Sequence, residues 1–188
     1  IVQYRGITTT VVANGGDFDK AVGLIIESML QSPRFIYRVE NQQSSGRVNN
    51  HELAVRVSYL IWGAPPDKAL NDAADKGELG DASKLQSHVQ RMLKDPRAVG
   101  RSVQFLSEWL NLDHLDNLRP NKKKFPNWTS GLAADMRLET IEYFKEVVWK
   151  QNRPLSDLFN TQLTFLTPAL AKHYGLPVLG NSKNPTRY

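Results

Sequence analysis

Apolar residues recur along most of this chain at three- and four-residue spacing, the period of an α-helix with one buried stripe. The first such run opens at Asp17, whose side chain can accept from the free amides of a helix start. Phe18, Val22, Ile25, Ile26 and Met29 then share a face, and Pro33 stops the run because Ser32 before it is driven out of helical geometry. Polar residues fill 41–50 and predict a loop. Asn49 or Asn50 caps a second run, which carries Leu53, Val57, Leu60 and Ile61 and ends at Gly63 before Pro65 and Pro66. Asp67 caps a short helix that finishes near Gly77, and Asp81 opens another with Leu85, Val89, Met92 and Leu93 inward.

Pro96 suits the first turn of the next helix. Two apolar stripes run along it: Val99, Val103, Leu106 and Leu110, and beside them Phe105, Trp109 and Leu112. Only Arg101, Gln104 and Glu108 remain as a polar stripe, so this helix is expected to be central and contacted on several sides. Residues 113–128 read as irregular. Thr129 then caps the longest helix, to about Gln151, with Leu132, Met136, Ile141, Phe144 and Val148 inward. Glu142, Glu146 and Lys150 lie outward, and the Glu146 to Lys150 spacing adds about 0.3 kcal/mol. Thr167-Pro168 makes a cap and first-turn pair, stopped by Gly175-Leu176-Pro177.

The two ends read differently. The β-branched run Ile7-Thr8-Thr9-Thr10-Val11-Val12, followed by Asn14-Gly15-Gly16, favours a short extended arm or linker over residues 1–16. Residues 178–188, rich in Asn, Ser, Lys and Pro, read as a linker into a further region. The expectation is a mainly α fold: a single-domain bundle of about six or seven helices over residues 17–177, preceded by the arm.

Composition leaves that picture in place. The 188 residues are 40% hydrophobic and 23% charged, which suits a folded chain with a substantial core rather than a disordered one. The net charge is +5, yet 19 acidic residues are spread among 24 basic ones, and Lys122-Lys123-Lys124 is the only dense run. A nucleic-acid partner would want that charge gathered on one face or stripe, so this balance argues against one. The absence of cysteine excludes a disulfide, a thiolate metal site or a covalently attached haem within the chain. No run approaches the roughly 20 apolar residues of a membrane span. The chain opens at Ile1 with no signal peptide, which reads as a piece of a larger protein.

No reaction is written in the motifs. His51, His88, His114 and His173 include no i,i+4 pair; His51-Glu52 starts a zinc-protease pattern, but Val55 stands where the second histidine belongs. There is no Gly-x-Ser-x-Gly elbow, and Ser58 and Ser107 fall on predicted helices, where a packed or backbone-bonded hydroxyl is the simpler reading. Gly15-Gly16 and Gly77 to Gly80 lack both the Walker lysine and the dinucleotide spacing. The pairs Asp135/Glu139 and Glu142/Glu146 read as a solvated helix face, and Arg34 with Glu40 as a structural ion pair around an aromatic cluster. No catalytic, cofactor-binding or metal-binding residue is assigned. The distinctive segment is Lys122-Lys123-Lys124-Phe125-Pro126-Asn127-Trp128. It is a candidate partner-docking loop, with lysines to steer and Phe125 and Trp128 to anchor. The competing reading is a solvated loop whose Phe125 and Trp128 plug back into the core. Asn127-Trp128-Thr129 also fits the short N-glycosylation pattern.

One ordered set of motifs carries a resemblance. Ser32-Pro33-Arg34-Phe35-Ile36-Tyr37-Arg38-Val39-Glu40 precedes Leu53-Ala54-Val55-Arg56-Val57-Ser58-Tyr59-Leu60-Ile61-Trp62. Pro66-Asp67, Arg91-Met92-Leu93, Asp95-Pro96-Arg97, Glu108-Trp109-Leu110, Phe125-Pro126 and Leu170-Ala171-Lys172-His173-Tyr174-Gly175 follow. Over about residues 20–177 this order resembles the planctomycete-type domain-of-unknown-function family fifteen ninety-two. The resemblance implies a helical domain within a large exported protein, periplasmic or secreted, that often also carries cytochrome c-like domains. It implies no catalytic residue. The function expected from it is a helical scaffold or interaction module of an extracytoplasmic, cytochrome c-associated electron-transfer protein. Its partners would be other domains of the polypeptide or protein subunits, with haem c on another part. The alternative it leaves open is an enzyme domain acting on a carbohydrate or other polymer, with electrons passing to an attached haem domain.

Overall fold

Capping side chains set most helix boundaries in the computed structural model, which describes residues 2–37, 40, 46, 48–180 and 184–188. Asp17, Asp67, Asp81, Asp95, Thr129 and Thr167 each accept from a backbone amide in the first turn of the helix that follows. Asn49 and Glu52 cap reciprocally: the Asn49 side chain accepts from the Glu52 amide and the Glu52 carboxylate from the Asn49 amide, both at 2.9 Å. The fold is mainly α, as its periodicity predicts, with seven α-helices of eight residues or more among the described residues.

The expected single bundle divides into two compact units, Ile1–Glu52 and Leu53–Tyr188. In the first, the expected extended arm is instead α1 (Val2–Ala13), followed by α2 (Phe18–Leu30) and the short α3 (Pro33–Ile36). Strand propensity is a weak bias, and here the threonines satisfy themselves helically. Thr9 and Thr10 hydroxyls each donate to the carbonyl four residues back at 3.0 Å. The helix then closes through Gly15 at φ +75°, with the Gly16 amide bonded to the Val11 carbonyl at 2.9 Å. A Cβ on Gly16 would run into the Val11 side chain, so the turn needs glycine there. Val11 and Ala21 are buried, while Phe18, Ile26 and Met29 of the predicted inner stripe of α2 are exposed. Periodicity identifies an apolar stripe but not whether anything covers it. The expected Arg34–Glu40 pairing turns on the Arg34 side chain, which lies outside what is described.

The second unit is built on α4 (Asn50–Ile61), whose first turn holds the boundary, α5 (Lys68–Asp75), α6 (Ala82–Leu93) and α7 (Pro96–Trp109). Their core gathers Ala54, Trp62, Leu70, Ala73, Leu79 and Met92. Ser58 is fully buried and its hydroxyl donates to the Ala64 carbonyl at 2.6 Å, the satisfied hydroxyl its helical position predicts. Trp62 ties the four helices together. Its indole N–H donates to the Met92 carbonyl at 3.0 Å, and the Arg97 guanidinium lies 3.6 Å from its ring centroid. Arg97 is held by Asp95, the cap of α7, and Arg91 by Asp67, the cap of α5.

The short α8 (His114–Asn117) leads to α9 (Ser130–Phe144), which continues in π-wound form over Lys145–Lys150, so the longest helix spans the predicted residues. Past it, β1 (Phe165–Leu166) pairs antiparallel with β2 (Thr186–Arg187) in the register Phe165↔Arg187 and Leu166↔Thr186. Between them lies α10 (Pro168–His173). Leu132, Leu166, Leu170 and Ala171 form a second cluster, covered by Trp128, Met136 and Tyr188. The expected C-terminal linker is thus in part a strand: polar composition hid Tyr188, whose ring packs inward and whose backbone exchanges two bonds with Thr164.

As expected, α7 is contacted on several sides: it packs on α6, on α9 and on the π-wound turn that continues α9. Phe105 is 59% and Trp109 58% exposed, so this helix is not contacted on all sides. Its Val99–Leu106 stripe faces inward, and of its second apolar stripe Phe105 and Trp109 lie open while Leu112 is buried.

Trp62→Ala is expected to lower stability by about 3–5 kcal/mol, since it removes a packed ring, a buried hydrogen bond and the Arg97 platform. Urea unfolding checks this through a lower midpoint at unchanged slope. Its hydrogen bonds from Arg97, side chain then backbone, hold the Asp95 carboxyl down at about 2, from an ordinary 3.8. A depressed carboxyl contributes stability above its ordinary value and loses it as pH falls toward the depressed one. The Asp95→Asn variant is therefore expected to melt lower than the parent near neutrality. Its melting temperature should also change less between pH 3.8 and 2.

Candidate functional site

Asn111, at φ +51°, turns the chain out of α7, and the Leu112 amide closes that end on the Ser107 carbonyl at 2.9 Å. After α8 the chain is irregular, as predicted, but it is not loose. The Arg119 guanidinium donates to the carbonyls of Asp116 and Leu118 at 3.1 and 2.9 Å. The Asn121 side chain accepts from the Lys123 amide at 2.9 Å, and its carbonyl accepts from the amides of Lys124 and Phe125 at 3.0 and 2.9 Å. An asparagine-seeded turn therefore presents Lys122, Lys123 and Lys124 to solvent.

The two aromatics of this loop differ in exposure. Phe125 is 57% exposed, whereas Trp128 is half-buried against the Leu132–Leu166–Leu170 cluster. Trp128 therefore braces the loop from below while Phe125 stands out. Two clefts flank Thr129 at the start of α9. One, of about 410 Å³, is lined by Leu115, Leu118, Arg119, Lys122 and Trp128; the other, of about 550 Å³, by Asn127, Leu132, Asp135, Lys172 and His173.

Charge is distributed unevenly. Ile1–Glu52 holds five basic and five acidic residues, whereas Leu53–Tyr188 holds 19 basic and 14 acidic, so the whole +5 belongs to the second unit. Many of its cations are paired, as in Lys68–Asp72, Lys84–Glu78, Lys145–Glu142 and Arg153–Asp157. Lys122, Lys123, Lys124 and Lys172 have no carboxylate partner among the described residues.

The carboxylates that sequence pattern assigned to a solvated face do structural work instead. Thr167 donates to Asp135 at 2.7 Å, and Thr164 and Tyr174 donate to Glu139 at 2.5 and 2.9 Å, which fastens β1 and α10 to α9. Glu146, expected outward, keeps a side chain only 12% exposed; it accepts from Gln151 and pairs with Lys150 at 3.2 Å and Arg187 at 3.6 Å. No sequence signal distinguishes these acids from solvated ones, because their partners lie 25 to 41 positions away or across a π-wound turn. Among the described residues no three His, Asp or Glu are grouped to hold a metal ion, and no helix is long and apolar enough to cross a membrane.

Over residues 48–176 the chain matches the model of a family described as PSD4, a protein of unknown function (DUF1592). It belongs to that family, the one its ordered motifs resemble, with the match beginning after the polar stretch rather than near residue 20. No curated protein and no solved structure matches it.

Burial, and then the Glu139 carboxylate that accepts its proton, push the Tyr174 hydroxyl up to about 12, from an ordinary 10.0. In an ultraviolet titration of tyrosinate, the difference between the parent and Tyr174→Phe is expected to ionise near 12. A difference centred at 10.0 would show that neither the burial of this hydroxyl nor its Glu139 contact is kept in solution.

Proposed function

We propose that this DUF1592-family chain is a helical interaction module that docks an acidic protein surface through its basic loop, residues 119–128. The observation that carries the reading is the set of lysines 122–124, held on an ordered turn without carboxylate partners beside the exposed ring of Phe125. Cations at a rim raise association rate and select partners, and an aromatic supplies the buried anchor. Trp128 below keeps the turn in place, so little order has to be gained on binding.

The same proposal extends to setting. The module would work outside the cytoplasm as part of a larger protein, and its partner would be another domain of that polypeptide or a protein subunit. In that setting haem c sits on the partner, because this chain offers no cysteine for its attachment. Electrons would then pass through the partner, and the role of this chain is to hold it in register. The alternative, an enzyme domain acting on a carbohydrate or other polymer, has the cleft beside Asp135, Lys172 and His173 to recommend it. Against it, the Asp135 carboxylate is already engaged by Thr167.

Carbodiimide coupling, which joins lysine directly to carboxylate, tests the docking reading on the protein isolated from its source at low salt. Lys122, Lys123 or Lys124 is expected to couple to Asp or Glu outside residues 1–188. Coupling confined to carboxylates within the chain, or none, overturns it. Converting all three lysines to glutamate is expected to slow association about tenfold or more at low salt, with the difference shrinking as salt rises. The haem setting stands or falls separately, on sharp reduced-state bands in the dithionite spectrum of the same preparation.

A further inference from the structure

The second open surface of Leu53–Tyr188 lies where the end of α4 meets α7. Leu60, Leu93, Ala98, Phe105 and Trp149 wall a shallow groove of about 250 Å³ there. Leu60 is 75% exposed, and the apolar surface continues past the groove to Trp109, whose ring stacks on Phe105 with centroids 6.2 Å apart. An open apolar patch of this kind marks a contact surface.

Two polar side chains line the groove, and that of Ser102 is spent on the protein itself. The Ser102 hydroxyl accepts from the Trp149 indole at 2.8 Å and donates to the Val99 carbonyl at 2.7 Å. Arg101 is the other. It lines the groove and has no carboxylate partner among the described residues. Its stem lies over Gly63, where an added Cβ would come within 3.2 Å of the Arg101 Cδ. Gly63, already required by φ +66° at the end of α4, thus gives the arginine stem room to lie across the helix terminus.

We propose that this groove receives an amphipathic helix of a partner protein, with apolar side chains entering between Leu60 and Phe105 and one Asp or Glu meeting Arg101. Phe105 and Trp109 are exposed one helical turn apart on α7, with Leu60 exposed across the groove, a pairing that suits the apolar face of a helix laid beside α7. A guanidinium without a carboxylate in an apolar wall selects an anionic group there, and its planar fork suits a carboxylate. The proposal rests on the reading of the chain as an interaction module, but it uses a different face from the lysine loop.

The test titrates the full protein, followed by tryptophan fluorescence, with a designed helical peptide of about 15 residues. The peptide carries three leucines on one face and a flanking glutamate, and a twin carries glutamine in its place. The glutamate peptide is expected to bind about tenfold tighter than its twin. Arg101→Gln should erase that preference while leaving the twin's affinity unchanged. Phe105→Asp should abolish binding of both, with circular dichroism confirming that the variant folds. Lys122→Gln, Lys123→Gln and Lys124→Gln together should leave the preference intact. Equal affinity for the two peptides, no binding of either, or a concentration-dependent dimer that Phe105→Asp dissolves would each overturn the proposal, the last by making a second copy the occupant. If the peptides fail while the lysines still couple to an outside carboxylate, the groove proposal falls and the module reading stands. The reverse outcome removes the lysine loop and keeps the groove.

Discussion

An indole N–H taken out of water must find an acceptor, and in this fold the search organises four helices. Trp62 ends α4, and its N–H reaches the Met92 carbonyl at the end of α6. That carbonyl belongs to the last turn of its helix, where it accepts from the Asp95 amide at 3.1 Å and keeps a second lone pair for the indole. The outer face of the ring would still be wet, but Arg97 covers it and Arg91 stands 5.6 Å away. Both arginines are positioned by aspartates that already cap α5 and α7. One buried ring thus fixes the end of α4 against the starts of α5 and α7 and the end of α6. Loosening any of the four costs more than its own contacts.

The charge left over follows from the same economy of carboxylates. Asp67, Asp81 and Asp95 serve as caps, Asp135 and Glu139 fasten β1 and α10, and Glu146 holds Lys150 and the C-terminal Arg187. With acids committed inside the fold, the lysines of the loop before α9 remain without local partners. The dense lysine run of the sequence thus stays unneutralised by neighbouring carboxylates among the described residues. Hydrogen bonds from Arg97 and Arg91, the leading influences on Asp95 and Asp67, lower both carboxyls, that of Asp95 to about 2. The framework under the surface stays intact wherever the lysines are charged.

Legibility in the sequence divides along a physical line. Features decided within a few residues could be read: the caps at Asp17, Asp67, Asp81, Thr129 and Thr167, the stops at Gly63 and Gly175, and the satisfied Ser58 hydroxyl. Features decided by distant partners could not. The stripe Phe105–Trp109 has the same period whether or not another element covers it, and it is open. The run Ile7–Val12 has strand propensity, but a glycine-closed end at Gly15 and hydroxyls bonded four residues back outweigh it. Tyr188 sits in a polar tail that looks like a linker, yet its ring closes the second cluster. For the candidate site, the lysine run and both aromatics stood out, while which aromatic faces solvent depended on the Leu166 and Leu170 contacts far along the chain.

The two open surfaces of the second unit differ in the range over which they act. Charges on the loop are felt across about a Debye length, some 8–10 Å at physiological ionic strength, so they bias a partner's approach before any contact forms. The groove acts only on contact, since burying apolar area gains nothing until water is expelled, and its lone guanidinium discriminates once that has happened. α7 leads from one to the other: its exposed Phe105 and Trp109 belong to the groove, and its end at Asn111 turns the chain toward α8 and the lysines. A partner bound at both would be steered by one and oriented by the other. Because the Trp62 clamp sets the start of α7, the same buried ring that holds the fold also sets the direction of this connecting helix.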